Sequence, residues 1–441
     1  MLNKIQIGLL ILALILAPYT NAVSVGTGQS LEEHKIVKHL NDQYPEAMRL
    51  LEKSVNINSG TMNFAGVKAV GMLYKKQFED IGLTTQWVDG ATFNRSGHLL
   101  AEYAGNGPKI LMIGHLDTVF AQDDEFQKFR PIDERYVAGP GITDMKGGNV
   151  IIIEVLRALK AAGTLENLNI KVVMTGDEES SGRPLSQSKA AIIDAAKWAD
   201  IALGFEDGDS NIKTAVVARR GSVNWKLDVS GRAAHSSQIF SDEVGYGAIF
   251  EAARILNEFR TQLAGKGELT FNPGLIAGGT ETNLQAKTST ATAFGKNNIV
   301  AKDLIVQGGI RALTQEELDN AKTVMYNIVS QNLLHTNATL QIGDGYPPMA
   351  PTPGNYQLLE LYSQASMSLG YGTVEAVNPR NAGAADISFA ASHVEMALDG
   401  LGLMGSGGHT KDEVADMDSF RKNMHKAAVL MHRLSVAHED H

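Results

Sequence analysis

The stretch "NIKVVMTGDEESSG", residues 169–182, sets an apolar run directly against two adjacent glutamates, Glu178 and Glu179. A short, continuous apolar run suits a strand buried on both faces, and such strands belong to parallel sheets covered by helices. Alone, a Glu-Glu pair is an ordinary solvated loop. Its meaning depends on what else the chain brings to the same end of the same strand.

Working outward, the pattern repeats. "KILMIG" (109–114) and "DIALGF" (200–205) are further short apolar runs. Between and before them, "SLEEHKIVKHLNDQYPEAMRLLEKSVNI" (30–57), "GVKAVGMLYKKQFEDIG" (66–82), "GGNVIIIEVLRALKAAG" (147–163) and "AAIIDAAKWA" (190–199) place apolar residues three and four apart, the spacing of helices. Gly82 and Gly163 stand where helices end. Strands separated by helices predict an α/β fold, a mostly parallel sheet flanked by helices. After about residue 217 the texture changes: "SVNWKLDVSG" (222–231) alternates strictly, as a half-exposed antiparallel strand does. A strand–helix–strand–strand–helix order follows, which predicts a smaller inserted α+β domain. The α/β pattern resumes with "NYQLLELYSQASMSLG" (355–370) and closes in the helix "MDSFRKNMHKAAVLMHRLSVA". At 441 residues the chain exceeds one ordinary core. The expected division is residues 23–217 and 336–441 for the catalytic domain, with 218–335 inserted between them.

Composition narrows the function classes. A formal net charge of −10 without a basic stripe excludes a nucleic-acid partner. Any anion site must then rest on local arginines. "MLNK" followed by the eleven-residue apolar run "IGLLILALILA" (7–17) and "TNA" (20–22) reads as a signal peptide over residues 1–22. The run is too short to span a bilayer, which takes about 20 residues. The expectation is an exported protein, periplasmic or secreted, with no membrane association after cleavage. The chain has no cysteine, so a zinc site has to be built from His, Asp and Glu.

Those residue types gather at one edge. "IGHLDTV" ends the 109–114 run with His115 and Asp117, two apart and therefore on one side of an extended chain. Asp117 is placed to hold the imidazole, as carboxylates do for metal-ligating histidines. "GPGITDMKGG" (139–148) carries Asp144 in a glycine-rich loop before a helix and lacks the spacing of a phosphate-binding loop. "GFED" brings Glu206 and Asp207 to the end of another strand, and "LGLMGSGGHTKDE" (401–413) presents His409. In an open α/β sheet, the carboxyl ends of the strands are where sites form. Two histidines and several carboxylates there suit two zinc ions sharing a carboxylate.

With these motifs in order, the chain resembles the dizinc exopeptidases and deacylases, which include glutamate carboxypeptidase, aminoacylase, acetylornithine deacetylase and succinyl-diaminopimelate desuccinylase. The resemblance runs from "LLEKSVNINSGT" (50–61) to the last helix. It implies two zinc ions per subunit. Asp144 would bridge them, His115 and Glu206 would complete one site, and Glu179 and His409 the other. Asp117 would orient a ligand and Glu178 would be the general base. The resemblance further implies a cis peptide at Asp144–Met145 and a homodimer formed through the inserted domain. In that domain "GRAAHSS" places His235 to reach the partner's site. "GGTETN" and "GGIRALTQEEL" place Asn283 and Arg311 at the substrate, Arg311 on its carboxylate. "NAGAADISFAA" adds Gly383 and Asp386 beside the site. The implied substrate is a small peptide or N-acyl amino acid, cleaved at the amide next to a free carboxylate. The sequence is most similar to exported glutamate carboxypeptidases of bacteria, with departures. Asp207 follows Glu206 where they have proline, so either residue is a candidate ligand. Tyr346 stands where they carry a basic residue, and the stretch leading to "ARRG" (218–221) lacks their lysine and serine for the glutamate side chain, although Arg219 and Arg220 lie close by. An aminoacylase or dipeptidase with the same machinery is the alternative; an inactive exported binding protein is a remote one.

Overall fold

Ser30 opens the first helix with a capping box: its hydroxyl accepts from the Glu33 N–H at 3.1 Å, and the Glu33 carboxylate accepts from the Ser30 N–H at 3.1 Å. The computed structural model describes residues 28–285 and 288–436; the expected signal peptide, 1–22, lies outside them. Among the described residues, no helix is long and apolar enough to cross a membrane. In chain order, α1 is Leu31–Val55, α2 Phe64–Ile81, β1 Thr84–Asp89, β2 Gly97–Tyr103, β3 Lys109–His115 and α3 Gly147–Ala162. Then come β4 Asn169–Thr175, α4 Ala190–Trp198 and β5 Ile201–Gly204. Gly82 and Gly163 close α2 and α3 in the left-handed region, φ 100° and 73°, where a Cβ would be strained.

The inserted unit contributes β6 Val223–Ser230, α5 Gly247–Leu263, β7 Thr270–Gly279, β8 Asp303–Arg311, α6 Gln315–Val329 and β9 Asn337–Ile342. The chain then returns through α7 Pro353–Ser368, β10 Met396–Leu398 and α8 Met417–Val436. The main sheet runs β1-β2-β4-β3-β5-β10. Its β4, β3, β5 and β10 are parallel neighbours, and β1 and β2 extend it antiparallel. These two strands escaped the sequence reading. β1 lies at the edge with no fully buried residue, so its polar "TTQWVD" carries no core pattern. α3, by contrast, is buried almost all round: Val150, Ile151, Ile152, Ile153 and Val155 are each 0% exposed. It packs against α1 and α8 in the main core.

The smaller sheet runs β7-β8-β6-β9, all antiparallel. Trp225, Leu227 and Val229 of β6 form its core with Ile255 and Phe259 of α5 and Met325 of α6. β9 corrects the expected end of the insertion at residue 335. Asn337–Ile342 pairs with β6 from Ser230↔Asn337 to Trp225↔Ile342, so the small domain is complete only after Ile342. Two bridges, Arg219↔Met349 and Ser222↔Tyr346, tie the outgoing and returning chains together.

Candidate metal centre

Strand register brings the motifs to one place. His115 sits opposite Thr175 across β3 and β4, and Ile113 opposite Gly204 across β3 and β5. The turns carrying Asp117, Glu178–Glu179 and Glu206 therefore leave the sheet side by side. Asp144 comes from the loop before α3, and a cis peptide joins it to Met145, as the resemblance implied. His409 comes from the loop before α8, with φ 62°.

His115 Nε2 lies 2.9 Å from Asp144 Oδ1 and 3.6 Å from Glu206 Oε1. His409 Nε2 lies 2.8 Å from Asp144 Oδ2 and 3.3 Å from Glu179 Oε2. Thus two groups of three donors, His115–Asp144–Glu206 and Asp144–Glu179–His409, share one carboxylate, and it turns a different oxygen to each imidazole. Zinc bonds to nitrogen and oxygen are about 2.0–2.2 Å, so donors around a tetrahedral ion stand about 3.3 Å apart. The four distances bracket that value. Asp207 belongs to neither group; Glu206 is the residue that reaches the donors.

Asp117 is fully buried, and its contacts are broader than expected. The nearest acceptor to His115 Nδ1 is the Asp117 backbone carbonyl at 3.0 Å, with carboxylate Oδ1 at 3.5 Å. The carboxylate mainly fixes the glutamate turn: it accepts from the Glu178 N–H (3.0 Å), the Glu179 N–H (3.2 Å) and the Thr61 hydroxyl (2.6 Å). The same residue holds both a candidate ligand and the turn bearing the candidate base.

Electrostatics favour cations here. Burial, then the negative charge of Asp144, pushes Glu179 up to about 11. Burial also raises Glu178 to about 8, with Asp386 and Asp144 adding to it against the opposing His115, and raises Asp207 to about 7. Glu206 is raised by burial despite the adjacent His115. Asp144 goes the other way: hydrogen bonds from His115 and His409 outweigh its burial and hold it below the usual carboxylate range. Carboxylates crowded in a buried site resist ionising together, and a divalent cation on these donors would supply the missing positive charge. The donor set fits zinc.

Supporting residues that the sequence reading missed surround this centre. Glu413 is fully buried and anchors the Asp144 loop. Its carboxylate accepts from the N–H groups of Gly141 (2.8 Å), Thr143 (2.8 Å) and Asp144 (3.3 Å) and from the Thr143 hydroxyl (2.9 Å). Asp399 accepts from the Glu206 N–H at 3.3 Å and from Arg219 Nε at 2.9 Å. Behind the glutamate turn, Lys189 is 0% exposed and bonds Asp177 and Asp386, each at 3.0 Å. The Tyr346 hydroxyl donates to the Glu178 carbonyl at 2.9 Å and lies 3.2 Å from Asp386. Asp386 thus supports the site from behind and does not line it. Glu413 stands four residues from His409, and its only signal in the sequence is the density of polar groups in "GGHTKDE".

The remaining candidates are not drawn into the centre. Among the described residues, no hydrogen bond or ion pair joins His235, Asn283 or Arg311 to the metal-site side chains. His235 is exposed, with Nδ1 2.8 Å from Ser237 Oγ. Asn283 is exposed on the strand Glu281–Gln285, and Arg311 ends β8 opposite Thr270. The Gly383 carbonyl accepts from Arg219 Nη1 at 2.7 Å, and the space above its Cα is open.

Comparison with known proteins follows the same lines. The family described as peptidase family M20/M25/M40 matches residues 111–433. A carboxypeptidase G2 of Pseudomonas sp. (strain RS-16) is 25% identical over 425 residues, 95% of this chain and 96% of that one. A probable succinyl-diaminopimelate desuccinylase of Staphylococcus epidermidis is 27% identical over 169 residues, 37% of this chain and 40% of that protein. In fold, the aminopeptidase PepT of Bacillus cereus superposes with a TM-score of 0.67 at 18% identity, covering 93% of this chain and 100% of the other.

Proposed function

Because the chain belongs to peptidase family M20/M25/M40 and is a metallohydrolase, we propose that it is a dizinc carboxypeptidase hydrolysing the amide next to a free carboxylate. The observation that carries this reading is Asp144 standing between two three-donor groups, with Glu178 held in the adjoining turn. Zinc held by those donors would supply Lewis-acid chemistry, making water acidic enough to attack near neutral pH. Glu178 takes the proton of the attacking water on its carboxylate and returns it to the leaving amine, a contribution of about 10²–10⁴-fold. Asp117 and Tyr346 keep its backbone in place from two sides.

The similarity to a carboxypeptidase over nearly the whole chain supports the choice of bond. Arg311, at the end of β8, is proposed to bind the substrate carboxylate. His235 is proposed to complete the partner's site in a homodimer formed through the inserted domain, where it would stabilise developing negative charge. Asn283 and Gly383 are proposed to contact substrate. The protein is proposed to be exported by residues 1–22. The test is Glu178→Gln in zinc-loaded protein: kcat is expected to fall about 10²–10⁴-fold with zinc content unchanged. A variant as fast as wild type removes the assigned base.

A further inference from the structure

We propose that a cavity beside Glu179 receives the acyl side of the substrate and selects an uncharged, largely apolar group. The inference rests on the amide-hydrolysis reading above and deepens it. The cavity has a volume of about 370 Å³ and is lined by Met62, Val119, Ala121, Gln122, Thr61 and Glu179, among others. That is toward the small end of ligand pockets, roughly 300–1,000 Å³, a fit for one ring or a short branched chain. It opens directly onto a metal-site carboxylate, so a group lodged there is attached close to the reacting bond.

Among the described residues, Glu179 is the only ionisable one in the lining, and its carboxylate faces His409 and Asp144. The other polar side chains there, Thr61, Asn63, Thr118, Gln122 and Ser180, are neutral, so no cation among them pairs with a second carboxylate. Met62 and Val119 add exposed apolar surface, 64% and 40% exposed. The cationic residues lie elsewhere, Arg311 on the inserted domain. The two halves of a substrate would thus meet opposite surroundings.

The walls are built in advance. The Thr61 N–H donates to the Thr118 carbonyl at 3.1 Å and the Thr118 N–H to the Ser59 carbonyl at 2.9 Å, locking the two edges together. The Asn58 amide donates to the carbonyls of Phe120 (3.1 Å) and Ala121 (3.0 Å). At Gly60 a Cβ would come within 2.2 Å of the Phe120 carbonyl oxygen, so only glycine permits this approach. A preformed pocket needs little ordering when a ligand enters.

The experiment compares three amides of one amino acid, N-acetyl-, N-(3-phenylpropanoyl)- and N-succinyl-glutamate, together with the alanine series, on full-length zinc-loaded protein. The phenylpropanoyl amide is expected to exceed both others at least tenfold in kcat/KM. Met62→Asp and Val119→Asp, at exposed positions where folding is not at stake, are each expected to reduce that preference at least tenfold. A preference for acetyl or succinyl, or one that neither variant alters, overturns the pocket while leaving the hydrolytic reading intact. If wild type cleaves none of these amides, the reaction assignment fails instead. Calorimetric binding of phenylpropanoyl- and succinyl-glutamate then decides the pocket by the same tenfold ratios.

Discussion

Replacing Glu413 by glutamine probes whether the shared carboxylate is held in place from behind. Glu413 Oε1 accepts three hydrogen bonds, from the Thr143 N–H, the Thr143 hydroxyl and the Asp144 N–H, and Oε2 accepts one from the Gly141 N–H. Glutamine keeps the shape but turns one oxygen into a donor. In the less costly orientation its NH₂ faces the Gly141 N–H, so one charge-assisted bond is lost and two donors confront each other. A hydrogen bond to a charged group is worth about 1.5–3 kcal/mol, equivalent to roughly 10–150-fold in an equilibrium constant. Part of that loss appears in the metal-free fold and part in zinc affinity, because a loosened Gly141–Asp144 loop must be re-ordered when both Asp144 oxygens engage cations. Outer partners of metal ligands typically account for about 10–100-fold in affinity, the same range. Zinc affinity is read by competition with a chromophoric chelator and metal-free stability by urea unfolding. The reasoning fails if affinity stays within about threefold and stability within about 0.5 kcal/mol.

Three other outcomes are expected. Lys189→Met leaves Asp177 and Asp386 buried without their shared cation, so stability should drop by about 3–5 kcal/mol; a urea-measured loss below about 1 kcal/mol contradicts the ion triad. Lys426 is fully buried, and burial pulls its ammonium group down to about 7. The unfolded chain then binds more protons than the folded one between about pH 7 and 10, so stability rises with pH over that window. Relative to Lys426→Met, wild type should gain about 4 kcal/mol across it, and parallel thermal-unfolding profiles of the two proteins would rule this out. Finally, His235→Ala and Glu178→Gln subunits, each inactive, should recover activity as mixed dimers; demonstrated subunit exchange with no recovery sinks the cross-subunit role.

Much of this architecture was legible because burial on both faces writes an unmistakable pattern. The runs ending at His115, Thr175 and Gly204 had to be central strands, and a parallel arrangement puts their carboxyl ends together. The candidate ligands were legible for the same reason. What stayed hidden depends on contacts without sequence period. β1 is an exposed edge. β9 declares its domain only through its pairing with β6. Glu413 looks like any charged loop residue until Gly141 and Thr143, some 270 positions away, point their N–H groups at it.

By itself, then, the sequence determined the layered α/β frame with its inserted domain, and which edge of the frame collects imidazoles and carboxylates, since both follow from local periodicity. Only the tertiary structure decided that Glu206 rather than Asp207 reaches the donors, that Asp117 serves the glutamate turn more than the imidazole, and that Tyr346 braces Glu178 from behind. Those are matters of ångströms and of which lone pair meets which donor, and a linear pattern carries no such distances.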